Sequence, residues 1–192
     1  MANVDTPFGL RPVRHLGGAP YSGGTNVYSG LATDATAMFV GDPVKLSGTS
    51  QTIRGRVYLD VDQAATGDVI VGVVVSVVPD TRDSLVHRAA STQRLLNVCD
   101  DPDILFEIQE VSGGTALTAN DAGLNADFVV GTGNATTGQS GVELNNTGEA
   151  TTATLDLHIY GLAPRDDVEI GEHAKWLVRI NRHQHANQVA GI

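Results

Sequence analysis

Val69-Ile70-Val71-Gly72-Val73-Val74-Val75 is the stretch on which the fold turns. Nearly every residue in it is β-branched, whichever face of a strand it points to. Such a run suits a strand buried on both sides. The apolar run extends to Val78 but is broken by Gly72 and Ser76, and it is too short to span a bilayer as a helix. Thr66-Gly67-Asp68 leads into it, just as Val40-Gly41-Asp42-Pro43 leads into Val44-Lys45-Leu46-Ser47-Gly48. In both places glycine favours a turn and the aspartate can bond its own nearby amides, which is a hairpin-type signal.

Working outward, Ala37 to Val40, Val57 to Val61, Leu95 to Val98, Ile104 to Val111, Phe128 to Val130, Thr152 to Tyr160 and Trp176 to Asn181 read as further strands. Ala153-Thr154-Leu155-Asp156-Leu157-His158-Ile159-Tyr160 alternates with period 2, the mark of a half-buried strand. Helix signals are confined to a turn at Asp80 to Leu85 and one turn at Thr118 to Leu124, closed by Gly123. The expected fold is mainly β: a β-sandwich or barrel-like domain with short helical turns and an extended N-terminal arm.

The 192 residues suffice for one sizeable domain; 41% are hydrophobic and 18% charged, below the usual ~25%. Thr, Asn, Ser and Gly therefore carry much of the surface, as is common where the outside meets other protein. The net charge of −10 disfavours direct nucleic-acid binding. Basic residues gather near the start (Arg11, Arg14, His15), in the middle (Arg82, His87, Arg88, Arg94) and near the end (Lys175, Arg179, Arg182, His183, His185). Asp100 to Asp156 holds no Lys, Arg or His, so an acidic and a more basic face are expected. The opening residues lack the apolar run of a secretory signal, so a soluble protein made in a cytoplasm, without membrane contact, is expected.

Residues 1–30 hold Pro7, Pro12, Pro20 and six glycines, which interrupt helix and strand alike. They also carry spaced apolar and aromatic side chains. The segment reads as an extended arm that orders on a partner, with Phe8, Leu10, Arg11, Val13, Arg14 and Tyr21 as partner-binding anchors. A strand-and-loop edge of its own domain is the alternative. Residues 31–192 form the single β-rich domain, and within it 131–152 reads as a long polar loop, an exposed tip or contact loop.

Little in the sequence points to chemistry. Gly131 to Gly138 lacks the spacing and following helix of a dinucleotide loop. Asp100-Asp101-Pro102-Asp103 lacks the frame of a calcium loop and reads as a solvated turn, and Asp166, Asp167, Glu169 and Glu172 read as an acidic surface. His183 and His185 could form a metal pair, but no third ligand is identifiable, so neither a metal nor a cofactor is expected. Cys99 has no cation beside it to lower its pKa and reads as a small strand residue. Trp176 lies in an apolar run and reads as core. No Gly-x-Ser-x-Gly elbow is present, and no enzymatic activity is expected.

Asp5-Thr6-Pro7-Phe8-Gly9-Leu10-Arg11-Pro12-Val13, the two Gly-Asp turns, and Ala174-Lys175-Trp176-Leu177-Val178-Arg179-Ile180-Asn181 resemble virion structural proteins of tailed bacteriophages, capsid decoration (cement) proteins in particular. The likeness runs from Asp5 to Gln184. It implies a small β protein on the capsid exterior, binding the major capsid protein and itself, often as a trimer, and stabilising the lattice. It implies synthesis in a bacterial host and supplies no residue-level site. Alternatives are another virion component (a major capsid, tail-tube or head-fibre subunit) or a carbohydrate-binding β-sandwich.

Overall fold

The computed structural model describes residues 3–188 and 191. Among these residues there are twelve strands: β1 (Arg11–His15), β2 (Asn26–Gly30), β3 (Pro43–Ile53), β4 (Arg56–Gln63), β5 (Gly72–Val77), β6 (Arg94–Cys99), β7 (Ile104–Gln109), β8 (Asn125–Ala126), β9 (Phe128–Val129), β10 (Glu143–Leu144), β11 (Leu157–Leu162) and β12 (Lys175–Ile180). The helical content is a single 3-10 turn, Ala119–Asp121, capped by Thr118. The mainly β architecture expected from the sequence is the one observed. No helix among the described residues is long and apolar enough to cross a membrane.

Five strands close into a barrel in the order β2-β4-β3-β5-β6, and five others form a sheet in the order β1-β7-β12-β11-β8, with β9 and β10 as a separate pair. One core fills the barrel, with Tyr28, Met38, Val44, Val61, Val71, Val74, Leu96 and Val98. The second lies under the five-stranded sheet and includes Phe106, Ile108, Phe128, Ile159, Trp176 and Val178, with Val73 and Cys99 contributed by the barrel wall. The decisive valine run thus feeds both cores: Val73 faces one, Val71 and Val74 the other. Gly72 stands in it because a Cβ there would fall 2.7 Å from Val98 Cγ1.

Several expected strands are shorter than the sequence suggests, and the reason is competition for backbone. Met38 pairs with Arg88 and Val40 with Gln139, two different partners, so no ladder propagates through residues 37–40. Ile70 bridges His183, and β5 starts only at Gly72. Upstream of β11, the Asn181 side chain donates to the carbonyls of Ala153 and Leu155, which holds that alternating segment as a turn.

Two boundaries need correction. Residues 3–30 are not a detached arm, because β1 pairs with β7 and β2 lies in the barrel between β4 and β6. Burial of Leu10 (1% exposed) and Tyr28 gives this segment its own place in both cores. Nor is 131–152 an exposed tip: Ser140, Val142, Leu144 and Asn146 are all buried, and Val142 and Leu144 join the second core. Met1 and Ala2 at one end, and residues 189, 190 and 192 at the other, lie outside the described residues.

Candidate functional site

The six anchor residues of the N-terminal segment divide. Leu10 is core. Its neighbour Gly9 (φ +71°) crosses Gly41 (φ +98°) so closely that a Cβ on Gly9 would fall 2.6 Å from Ser140 Cβ and nearer still to Gly41 O. The Leu10 amide donates to Gly41 O at 2.9 Å, and the Gly41 amide to Val74 O at 2.8 Å. This crossing ties the segment to the barrel. Arg11 stacks over the Phe8 ring at 4.8 Å and pairs with Glu107 at 2.8 Å. Arg165 reaches the other oxygen of Glu107 at 3.0 Å. Tyr21 packs against the second core, and burial pushes its phenol up to about 12. Val13 is half-exposed, and Arg14 pairs with Leu105 across β1 and β7. Phe8, Leu10, Arg11 and Tyr21 do meet, around a mostly apolar cleft of about 290 Å³ completed by Pro12, Val40, Val74 and Val75.

Most buried polar groups are spent on the fold. Arg88 is fully buried; its guanidinium pairs with Asp34 at 2.9 Å and donates to the carbonyls of Leu31, Asp34, Thr36 and Thr92. Arg94 is buried against the carbonyl of Val78. The middle basic group is therefore largely internal and does not form the basic face expected from the sequence. Glu110 accepts from Trp176 Nε1 at 2.9 Å, from the Leu117 amide at 2.8 Å and from Asn146 at 3.1 Å. In both Gly-Asp turns the aspartate accepts from an amide three residues back, Asp42 from Phe39 and Asp68 from Ala65.

The titratable groups with the largest displacements are buried. Desolvation, reinforced by Asp127, pushes Asp156 up to about 7, although the Gly67 amide and Arg182 oppose it. Burial, helped by neighbouring His185, holds His183 down to about 4. The His183 and His185 rings lie 5.6 Å apart, but His183 Nδ1 accepts from the His185 amide, which removes that nitrogen from service as a ligand. Burial raises the Cys99 thiol to about 11, away from a reactive thiolate. Asp5, Glu143 and His173 bring ligand atoms within 4.8 Å of one another, a grouping that could hold a metal ion and that sequence spacing does not reveal. Gln109 Nε2 donates to both carboxylates at 2.9 Å, so the cluster is also bridged by hydrogen bonds.

The surface with the least internal explanation is the far half of the β3–β4 hairpin. Its two-residue loop is Arg54 (φ 51°) and Gly55 (φ 78°), the backbone of a type I′ turn. Ser50 to Ile53 pair only with Arg56 to Leu59, because β5 meets β3 at Pro43 and Val44 and β2 meets β4 at Asp60 and Val61. Val57, Leu59 and Val61 share one face of β4, as alternate residues must. Val61 fills the barrel, while Val57 is 70% and Leu59 50% exposed. The inward row of the barrel thus runs out into solvent, beside a shallow groove lined by Leu46, Gly48, Thr49, Ser50 and Leu59. From Leu46 to Leu59 there is no carboxylate, and Arg54 and Arg56 have no ion pair among the described residues. The sequence marks Val57 to Val61 as a strand, and the acid-free stretch around Arg54-Gly55-Arg56 is the signal it carries of an exposed one.

Comparison of the chain with protein-family models, with curated proteins and with solved structures found no match in any of the three.

Proposed function

We propose that this chain is a structural protein that works by binding: a decoration protein on the outside of a tailed-bacteriophage head, where it braces the capsid lattice. The observation that carries the binding half of this reading is the uncovered inward row Val57–Leu59 on an unflanked hairpin. A two-stranded hairpin is marginal in water by itself, and apolar side chains continuous with a core call for a cover. The placement on a phage head comes from the likeness of Asp5 to Val13, the Gly-Asp turns and Ala174 to Asn181 to virion structural proteins. The saturated buried network around Glu110 and Arg88 supports a mechanical rather than a catalytic use of polar residues.

The test is co-sedimentation of the purified protein with heads assembled without it. Saturable binding is expected, together with heads that withstand more heat before releasing DNA. The paired variant Val57→Asp/Leu59→Asp should bind measurably less. Wild-type protein that stays in the supernatant at every ratio would refute the reading.

A further inference from the structure

We propose that the far half of the β3–β4 hairpin docks on the acidic 165–172 loop of a second copy of this chain. This deepens the reading above and rests on its view of the hairpin as a surface that another protein covers.

Charge selects the partner. The chain carries −10 in all, and Leu46 to Leu59 carries +2, so the rest of the molecule holds −12. A second copy is therefore an acidic partner. Within it, Arg165 to Glu172 holds four acidic residues and one arginine, and two of the four, Asp166 and Glu172, form no ion pair among the described residues. That arginine is turned back to Glu107 and Asp167. In the middle of this loop Ile170 is 52% exposed, while its neighbour Val168 is buried. An apolar side chain with carboxylates on both sides in sequence is the complement of an apolar pair beside a turn that carries two arginines. Guanidinium groups suit the match, because their planar forks bind carboxylates through two parallel hydrogen bonds. The exposed loop bearing Leu85 and Val86 fits less well, since Arg82 lies between Asp80 and Asp83.

The receiving loop is already held in shape. Asn3 donates to the carbonyls of Glu169 and Glu172 at 2.8 and 3.0 Å and accepts from the Glu169 amide at 3.1 Å. A loop ordered before contact loses less entropy on binding. The contact joins two different patches, so it is head-to-tail, and such contacts close into rings when the rotation permits. Docking also gives the exposed strand pair the apolar cover it lacks among the described residues of one chain.

The experiment is mass by light scattering on the isolated protein, without heads. A discrete species larger than one chain is expected for the wild type. Val57→Asp/Leu59→Asp and Arg54→Glu/Arg56→Glu should each run as monomers with unchanged Trp176 emission and far-UV spectra. Reversing both sides in one chain, Arg54→Glu/Arg56→Glu with Asp166→Lys/Glu172→Lys, should restore the oligomer. A monomeric wild type overturns the inference, and so does a folded fourfold variant that stays monomeric. A monomeric wild type that still saturates heads would overturn only this inference, leaving the head-binding reading intact. An oligomer that ignores heads would do the reverse.

Discussion

Replacing Leu10 by alanine tests whether the N-terminal segment belongs to the fold. Leu10 is 1% exposed and lies in the second core, anchored by the Gly9–Gly41 crossing immediately before it. Truncating a leucine at such a site removes its transfer free energy and leaves a cavity, together ~2–5 kcal/mol. For a domain of this size each kcal/mol moves the melting temperature by ~2–4 °C, so a fall of ~4–20 °C is expected. Val13→Ala, at a 36% exposed position three residues on, should change stability by only ~0.5–1 kcal/mol. Urea unfolding followed by Trp176 emission and by far-UV circular dichroism measures both, with the slope m unchanged if the denatured state is the same. Deleting residues 1–18, harmless to folding if they formed a free arm, should leave a chain that does not fold cooperatively, since it removes β1 as well as Leu10. A Leu10→Ala midpoint indistinguishable from wild type would refute the crossing as a structural tie.

Glu110→Ala strands two buried donors, Trp176 Nε1 and the Leu117 amide, takes one of two acceptors from Asn146 Nδ2, and should cost roughly 2 kcal/mol or more in urea titrations, with a shift in Trp176 emission; a loss near zero would show that water replaces the carboxylate. Asp156, raised to about 7, holds a proton in the folded state that the unfolded chain has already lost, so its contribution to stability falls as the pH rises from about 4 to 7. Relative to wild type, Asp156→Asn should gain stability across that rise, and a difference that does not move with pH would contradict the assignment. His183, held down to about 4, acts oppositely: the unfolded chain takes up its proton first, and stability is lost as the pH falls from about 6.5 to 4. His183→Gln should therefore gain on wild type over that fall, measured in the same titrations.

The fold class was legible because its signals are local: β-branched runs, period-2 alternation and Gly-Asp turns with amide-bonding aspartates. What escaped was whatever depended on a distant partner. Ser140, Val142, Leu144 and Asn146 are all buried, but two of the four are polar, so composition presented the segment as a loop. The prolines and glycines of residues 3–30 mark an irregular backbone correctly. They do not say whether the surface it crosses is its own, and Gly41 and Glu107, which settle that, lie far along the chain. The middle basic residues looked like a surface group because sequence does not show that Arg88 and Arg94 turn inward onto carbonyls. Arg54 and Arg56 are the reverse case. They stand in a stretch without acids and end up at the tip of a hairpin that, among the described residues, no other strand flanks.

The division of labour between the two cores explains why that hairpin stands apart. Strands β5 and β6 are at once barrel wall and floor of the second core, with Val73 and Cys99 on one side and Val74, Leu96 and Val98 on the other. Unfolding either core would uncover the other, so barrel and sheet should open together as one cooperative body. The N-terminal segment strengthens that union by placing Leu10 in one core and Tyr28 in the other. Beyond Leu46 and Leu59 neither core reaches, and the hairpin keeps its form mainly through its own ladder and turn, with one side-chain bond from Gln93 to Gln51. A rigid body with one under-supported apolar limb gains most stability where a partner covers that limb. Binding free energy and folding free energy then draw on the same contacts, which suits a protein whose proposed task is to brace a lattice.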